Sequence, residues 1–432
     1  MMNCKRVKKE AFSWDKLQEL LVIVLLVASY IVNVPILTLA TFLLACSLVV
    51  FSKFEMSIYH LAFFTSFASI FMYNGKHMFF VMVALFIFKA FLESRVSSKT
   101  CIFYILLLAY SAVFCDFHGE FSFAKVIGIV LLFAIPVIAN FSDRIDCNAF
   151  MQHYIWGFVI STMLGFFVKY IPSMYRLFDV DIMWTENYQP LVRFFGVSYD
   201  ANFYALSNYV VLAYLLLAFE KTSFFRGLLS LALLISGILT ISKSYFLVVG
   251  MIFIIYVLRR LSSFKHIVAF AFIAVVGSML FSIVSDKLGY NAIELITSRF
   301  TKGDGLAALT TGRSEIWKEY IDLFKASKPQ NVLFGFGFNA TASRAAHNTV
   351  LEFLFHYGFV GIMLWGSYFV YCFNLFRKKT TSFKNRSPMV CFCLIVGTFF
   401  LSAYTFEAFW IGIIISMMTW RKKRKGGIIK RV

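Results

Sequence analysis

The sequence predicts an all-α, polytopic integral membrane protein of about 12–14 transmembrane helices with a long helical outer loop. Three observations predict it. Of the 432 residues, 60% are hydrophobic and only 15% charged, more apolar surface than a soluble domain hides. The apolar residues come in runs close to the ~20 that cross a bilayer. The basic clusters KRVKK near the start, RKKTTSFKNR from Arg377 and RKKRKGGIIKR from Arg421 each flank such a run, as topology determinants and anionic-lipid contacts do.

The runs begin near Leu17, Pro35, Ser57, His77, Cys101, Phe123, Tyr154, Phe203, Phe224, Ser244, His266, Thr349, Met389 and Phe406. The Ser57 to Glu93 pair and the Met389 to Trp420 hairpin are short, and two re-entrant runs would leave twelve spans. No small-residue cleavage site follows the first run, so it reads as an uncleaved helix. The expected organisation is an N-terminal bundle (1–170), a first outer loop (171–202), central helices (203–284), a large outer loop with an amphipathic helix (285–348), C-terminal helices (349–420) and a basic tail (421–432).

The net charge of +19 sits where it orients spans, so nucleic acid is not an expected partner and membrane lipid is. With the N-terminus inside, cytoplasmic segments hold roughly 26 Lys and Arg against roughly 14 outside, which places both termini in the cytoplasm and both long loops outside. Cys4, Cys46, Cys101, Cys115, Cys147, Cys372, Cys391 and Cys393 lie mostly in or beside apolar runs, where Cys is a small hydrophobe. No structural disulfide and no cysteine metal site is expected. Lys89 stands in mid-span, as a functional charge or as part of a bundle-facing pair.

Chemistry is expected at HNTVLEFLFHYGFVG from His347, where the chain re-enters an apolar run. Asn348, Glu352 and His356 fall at i, i+4 and i+8, one face of a helix. Upstream, Ile316, Trp317, Tyr320, Ile321 and Phe324 recur at helical spacing, giving an amphipathic helix with Thr311 as N-cap. Arg313 then lies in its first turn, where a cation opposes the helix dipole. It is either paired with Glu315 or an upstream acid, or placed to hold an anion at the free N–H groups. Gly335 and Gly337 form a turn or a phosphate cradle.

In the shorter loop, Asp200 and Asn202 can cap the next helix, and Arg193 has no acid within four residues, which makes it a phosphate-ligand candidate. Lys243 sits in a short outer turn and either snorkels to headgroups or points into the same cavity. No Walker A string or Rossmann fingerprint stands out. A metal site from His347, Glu352 and His356 matches no zincin spacing.

These residues resemble the O-antigen polymerase and ligase superfamily. His347 and Asn348 are followed by TVLEFLFHY, Gly358, two residues and Gly361, which fits the ligase-type motif without a gap. TGRSEIW, FGFGFN and RFFGVSYDANFYA resemble the family's outer-loop stretches, and the likeness spans roughly Pro190 to Gly361. The resemblance implies that His347 deprotonates or orients the acceptor hydroxyl and that Arg313 and Arg193 hold the donor diphosphate. Lys243, Asn348, Glu352, His356 and Asp200 are implied as substrate-side residues. Lys243 stands where many relatives have Arg, which puts bidentate phosphate binding there in doubt.

The implied activity is a metal-independent, inverting glycosyl transfer with no cofactor. The first reading is a Wzy-type polymerase joining undecaprenyl-diphosphate-linked oligosaccharide repeat units at the outer face of the bacterial inner (cytoplasmic) membrane, with a chain-length regulator as partner. The alternative is a ligase that transfers the finished glycan to lipid A core or another acceptor. A lipid-linked oligosaccharide transporter is a third reading, disfavoured by the absence of an internal repeat.

Overall fold

The structure is a computed structural model that describes residues 14–93, 95–113, 123–141, 144–178, 182–184, 190–218, 223–260, 312–338, 344–379, 388–404 and 406–419, with isolated positions 268, 275, 279, 340 and 342. The basic N-terminus and tail, the run near His266, the DFHGEFS loop and residues 285–311 lie outside the described residues.

The chain is mostly helical, and thirteen of the fourteen expected runs each correspond to a helix. These are α1 (Trp14–Val32), α2 (Pro35–Phe51), α3 (Phe54–Thr65), α4 (Phe79–Leu92), α5 (Ser98–Val113), α6 (Phe123–Asn140), α7 (Cys147–Gly165), α9 (Ala201–Leu217), α10 (Phe224–Ile238), α11 (Lys243–Arg260), α14 (Thr349–Lys379), α15 (Pro388–Thr398) and α16 (Glu407–Thr419). Short α8 (Pro172–Tyr175) and α13 (Pro329–Phe334) and the amphipathic α12 (Arg313–Ala326) complete the described helices. Among the described residues, only Thr349–Arg377 is long and apolar enough to cross a membrane by length and composition; eight further apolar helices are shorter.

The predominance of helix agrees with the expected all-α class, and two small antiparallel ribbons accompany the helices. In the first, Met72–Tyr73 (β1) pairs with Lys76–His77 (β2). Asn74 and Gly75 both have positive φ, at 48° and 71°, the geometry of a two-residue hairpin turn. This hairpin and the preceding 3-10 turn at Ala68–Ile70 interrupt the Ser57 to Glu93 stretch, which is why α3 and α4 are only 12 and 14 residues long. The second ribbon, Ile182–Trp184 (β3) with Pro190–Val192 (β4), lies between α8 and α9 and ends one residue before Arg193.

Helix α9 is the axis of the bundle. Nearly all its residues are buried, and it packs against α10, α11, α15 and α16. A helix apolar on every side must be enclosed by others. Beside it, Tyr204, Asn208, Ser236 and Tyr245 form a buried hydrogen-bonded network that joins α9, α10 and α11, which satisfies polar groups the core would otherwise strand.

Lys89 has a structural role. Its Nζ donates to Ser57 Oγ (2.8 Å), to the Val49 carbonyl (3.3 Å) and to the Ser52 carbonyl. It thus fastens α4 to the C-terminal end of α2, where orphan carbonyls and the dipole favour a cation. Lys89→Met should lower stability by about 1–3 kcal/mol by stranding these acceptors, measured as a lower thermal unfolding midpoint in detergent.

Candidate functional site

One end of the bundle collects the N-termini of α9, α11, α12 and α14 with the 399–406 segment between α15 and α16. Asp200 caps α9: its Oδ1 accepts from the Asn202 and Phe203 N–H groups at 2.5 and 3.1 Å. The cap leaves the Asn202 side chain at the helix mouth. Asn202 Oδ1 then accepts from Arg193 Nη2 at 3.0 Å and from Ser242 Oγ at 3.0 Å. Arg193 is 6% exposed, and its Nε donates to the Thr240 carbonyl at 2.7 Å. Among the described residues, the acceptors that fix Arg193 here are neutral.

The Thr240 carbonyl reaches Arg193 because the α10–α11 turn is tight. Ile241 has φ 50°, an unusual conformation for a β-branched residue, and Phe194 N–H donates to the Leu239 carbonyl at 3.0 Å. Lys243 begins α11 directly after Ser242 and is half-buried.

Arg313 is the first residue of α12. The expected N-cap, Thr311, lies outside the described residues; Gly312, with φ 75° and no side-chain cap bond, occupies that place. Arg313 Nη1 donates to the Phe400 carbonyl, so the guanidinium is turned to the 399–406 segment and not to Glu315. Burial, then the charge of Arg193, pull its pKa down, while Asp200 opposes them. Among the described residues, two guanidiniums and the Asp200 carboxylate therefore share one field. An arginine remains charged under such pressure, so the site favours an incoming anion.

Helix α12 also positions the loop before α14. Trp317 Nε1 donates to the Ala346 carbonyl (2.9 Å) and Tyr320 OH to the Arg344 carbonyl (2.9 Å), and Tyr320, Ile316 and Phe324 pack with Phe355, Phe336 and Leu351. Ile321, expected on this face, is exposed. His347 follows, exposed and with φ 47°, a strained backbone of the kind found at functional sites. Its ring keeps solvent contact, yet partial burial and then Arg313 lower its pKa, with Asp200 acting in the opposite sense. Asn348 caps α14, its Oδ1 accepting from Val350 and Leu351 N–H at 3.0 and 3.1 Å.

His347, Arg313, Arg193 and Asp200 are thus within electrostatic reach of one another. Among the described residues, the contacts of Glu352 and His356 lie with other groups. Glu352 acts on Tyr320 and Tyr404. His356 is buried, with Nε2 at 3.1 Å from the Ala340 carbonyl and Nδ1 at 3.0 Å from Tyr404 OH. Both ring nitrogens are engaged, so His356 holds the loop in place. Among the described residues, no group of His, Cys, Asp and Glu is arranged to hold a metal ion.

The glycines also have a structural role. Helix α14 is broken at Gly358, with φ 62° and ψ −171°. The break frees carbonyls, and the Gly335 to Gly337 turn takes them: Phe336 N–H donates to Phe355 (2.8 Å) and Gly337 N–H to His356 (3.3 Å). Tyr110 OH donates to the Tyr357 carbonyl at 2.6 Å. The Gly335 and Gly337 turn is therefore packed against the helix and is not a phosphate cradle.

Sequence reading missed the Phe400 carbonyl, Tyr404, Ser242 and the Thr240 carbonyl. Backbone acceptors carry no residue-type signal. Asn202, a candidate cap by its position, holds Arg193 instead.

The class is a mostly helical, strongly apolar protein with a cationic site and a histidine at one end of the bundle. Residues 228–366 match the family described as O-antigen ligase, a match that supports the resemblance to the O-antigen polymerase and ligase superfamily. The matched stretch contains Lys243, Arg313, His347, Asn348, Glu352 and His356; Arg193 and Asp200 precede it. No curated protein and no solved structure matches the chain.

Proposed function

We propose that the protein is a polysaccharide polymerase that joins undecaprenyl-diphosphate-linked repeat units at the outer face of the bacterial inner membrane, both termini being cytoplasmic. The observation that carries this reading is the meeting of Arg193, Arg313 and His347 at one end of the bundle, with Asp200 as the nearby carboxylate. The acceptor hydroxyl attacks the anomeric carbon, a new C–O bond forms, and the bond to the diphosphate breaks. His347 takes the hydroxyl proton. Arg193 and Arg313 hold the charge that develops on the departing diphosphate. A single displacement inverts the anomeric carbon and needs neither metal nor cofactor. Lys243 stands at the edge of this site, and Asn348 orients the histidine backbone.

An apolar cavity of about 440 Å³ lined by Thr349, two residues after His347, runs between α14, α15 and α16 past Phe353, Leu394 and Ile413. Such a cavity suits part of a polyprenyl chain whose diphosphate lies at the arginines. A ligase is the second reading, since residues 228–366 match a family described as O-antigen ligase without separating ligase from polymerase. Deleting the gene separates the two readings on a sugar-resolved gel. Loss of a polymerase leaves surface molecules with one repeat unit, and loss of a ligase leaves long glycan on the carrier lipid.

The lowered pKa of His347 has a pH consequence. The neutral imidazole is the active form, so the acid limb of the rate profile lies below the ordinary histidine value of about 6.5. Asp200→Asn still caps α9 but removes the charge that raises the His347 pKa. The acid limb should then move to lower pH, read from the pH profile of kcat/KM. A shift to higher pH would contradict the shared field.

A further inference from the structure

At the other end of the bundle, three ionisable side chains meet away from water. Glu19 of α1 is 0% exposed. Its Oε1 lies 2.8 Å from Nδ1 of His60 on α3 and 2.7 Å from Nδ1 of His153 on α7. Each residue stands in the second turn of its helix, so the three share one layer, roughly 8–9 Å from the helix starts. The far end of α7 reaches the site segment, since Gly165 is packed on Gly196. The cluster is thus separated from the arginines by the length of α7.

Among the described residues, its surroundings supply little compensation. Tyr59 stacks on His153 at 5.4 Å, and Phe64 lies 6.5 Å from His60. Asp15 and Lys16, of opposite sign, are the α1 charges whose fields reach the cluster. Glu55 of α3 and Asp146, which caps α7, lie near Tyr59. Glu19 Oε2 and His60 Nε2 are buried and have no hydrogen-bond partner among the described residues.

A buried carboxylate is untenable without a compensating charge, and two neutral imidazoles do not cancel it. One additional proton makes the cluster neutral. It resides either on an imidazole, whose Nδ1–H then donates to the carboxylate beside the other Nδ1–H, or on Oε1, which donates to one Nδ1 and accepts from the other. Both forms give two short contacts to a single oxygen.

We propose that Glu19, His60 and His153 form a buried site that binds one shared proton, apart from the glycosyl-transfer site, and that this proton fastens α1 to α3 and α7. In the unfolded chain above about pH 7 the glutamate is ionised and both histidines are neutral. Unfolding then releases the proton, so stability falls as pH rises, by about tenfold in the folded-to-unfolded ratio per pH unit, until the folded cluster also loses it.

The test uses the full-length protein in detergent micelles. Wild type should lose thermal midpoint between pH 6.5 and 9 relative to Glu19→Gln, which keeps the shape but cannot share a proton. His60→Leu combined with His153→Leu should fail to accumulate in membranes, because it strands the carboxylate. Adding Glu19→Leu should restore accumulation, which a role in packing alone would not produce. Parallel pH curves for wild type and Glu19→Gln, normal accumulation of the double variant, or no recovery in the triple variant would overturn the proposal.

Discussion

His347→Ala and Arg313→Ala should each lower polymer formation by two orders of magnitude or more while the protein accumulates normally. Removing a positioned base costs about 10²–10⁴-fold, and removing one donor to a developing anion about 10²–10³-fold. Neither side chain carries the fold. His347 is exposed, and among the described residues Arg313 donates to the Phe400 carbonyl. Arg313→Lys should restore less than half the loss, because an ammonium ion cannot engage a diphosphate through a planar fork. Complementation of a deletion strain, read on a sugar-resolved gel with immunoblotting for protein amount, measures all three. Normal chain lengths from His347→Ala would remove the histidine from the mechanism.

Gly358→Ala should have the largest effect on folding. The backbone at Gly358 has φ 62° and ψ −171°, a region open essentially to glycine alone, costing other residues about 1–3 kcal/mol. Space is the larger obstacle. A Cβ at Gly358 would lie 2.4 Å from both the Gly335 nitrogen and the Leu333 carbonyl oxygen. Both obstacles are backbone atoms, so no rotamer change relieves the clash. Gly335 meets the reciprocal limit, since its Cβ would approach the His356 carbonyl oxygen at 2.5 Å. Gly358→Ala should therefore abolish accumulation of folded protein. Gly366→Ala, in the same helix with open space around it, should be tolerated. The comparison is made by size-exclusion profile after detergent extraction, and equal monodisperse yields from the two variants would show that the break in α14 is not needed.

Both predictions rest on residues that stood out in the sequence, yet for different reasons than the sequence offered. The pattern from His347 to Gly361 could be read, but not that Gly358 breaks a helix against Gly335. Asn348, Glu352 and His356 do share one helical face, as their spacing requires. What that face meets was hidden: His356 is held by the Ala340 carbonyl and Tyr404. The hairpin at Asn74 and Gly75 was legible, because that dipeptide is a strong turn signal, but the apolar residues on both sides masked it. The Glu19 cluster could not be found by spacing, since its members stand 41 and 134 positions from Glu19.

What the sequence determined by itself is local. Apolar runs set the helix starts, Asp200 and Asn348 set the caps at α9 and α14, and the amphipathic spacing set α12. Each depends on groups within a turn or two of one another, where composition and hydrogen-bonding chemistry decide the outcome. Only the tertiary structure decided which partners meet: Arg193 with the Thr240 carbonyl, 47 residues on, and Arg313 with the Phe400 carbonyl, 87 residues on. Those acceptors are backbone oxygens, present at every position, so packing of the helices selects them and residue type does not.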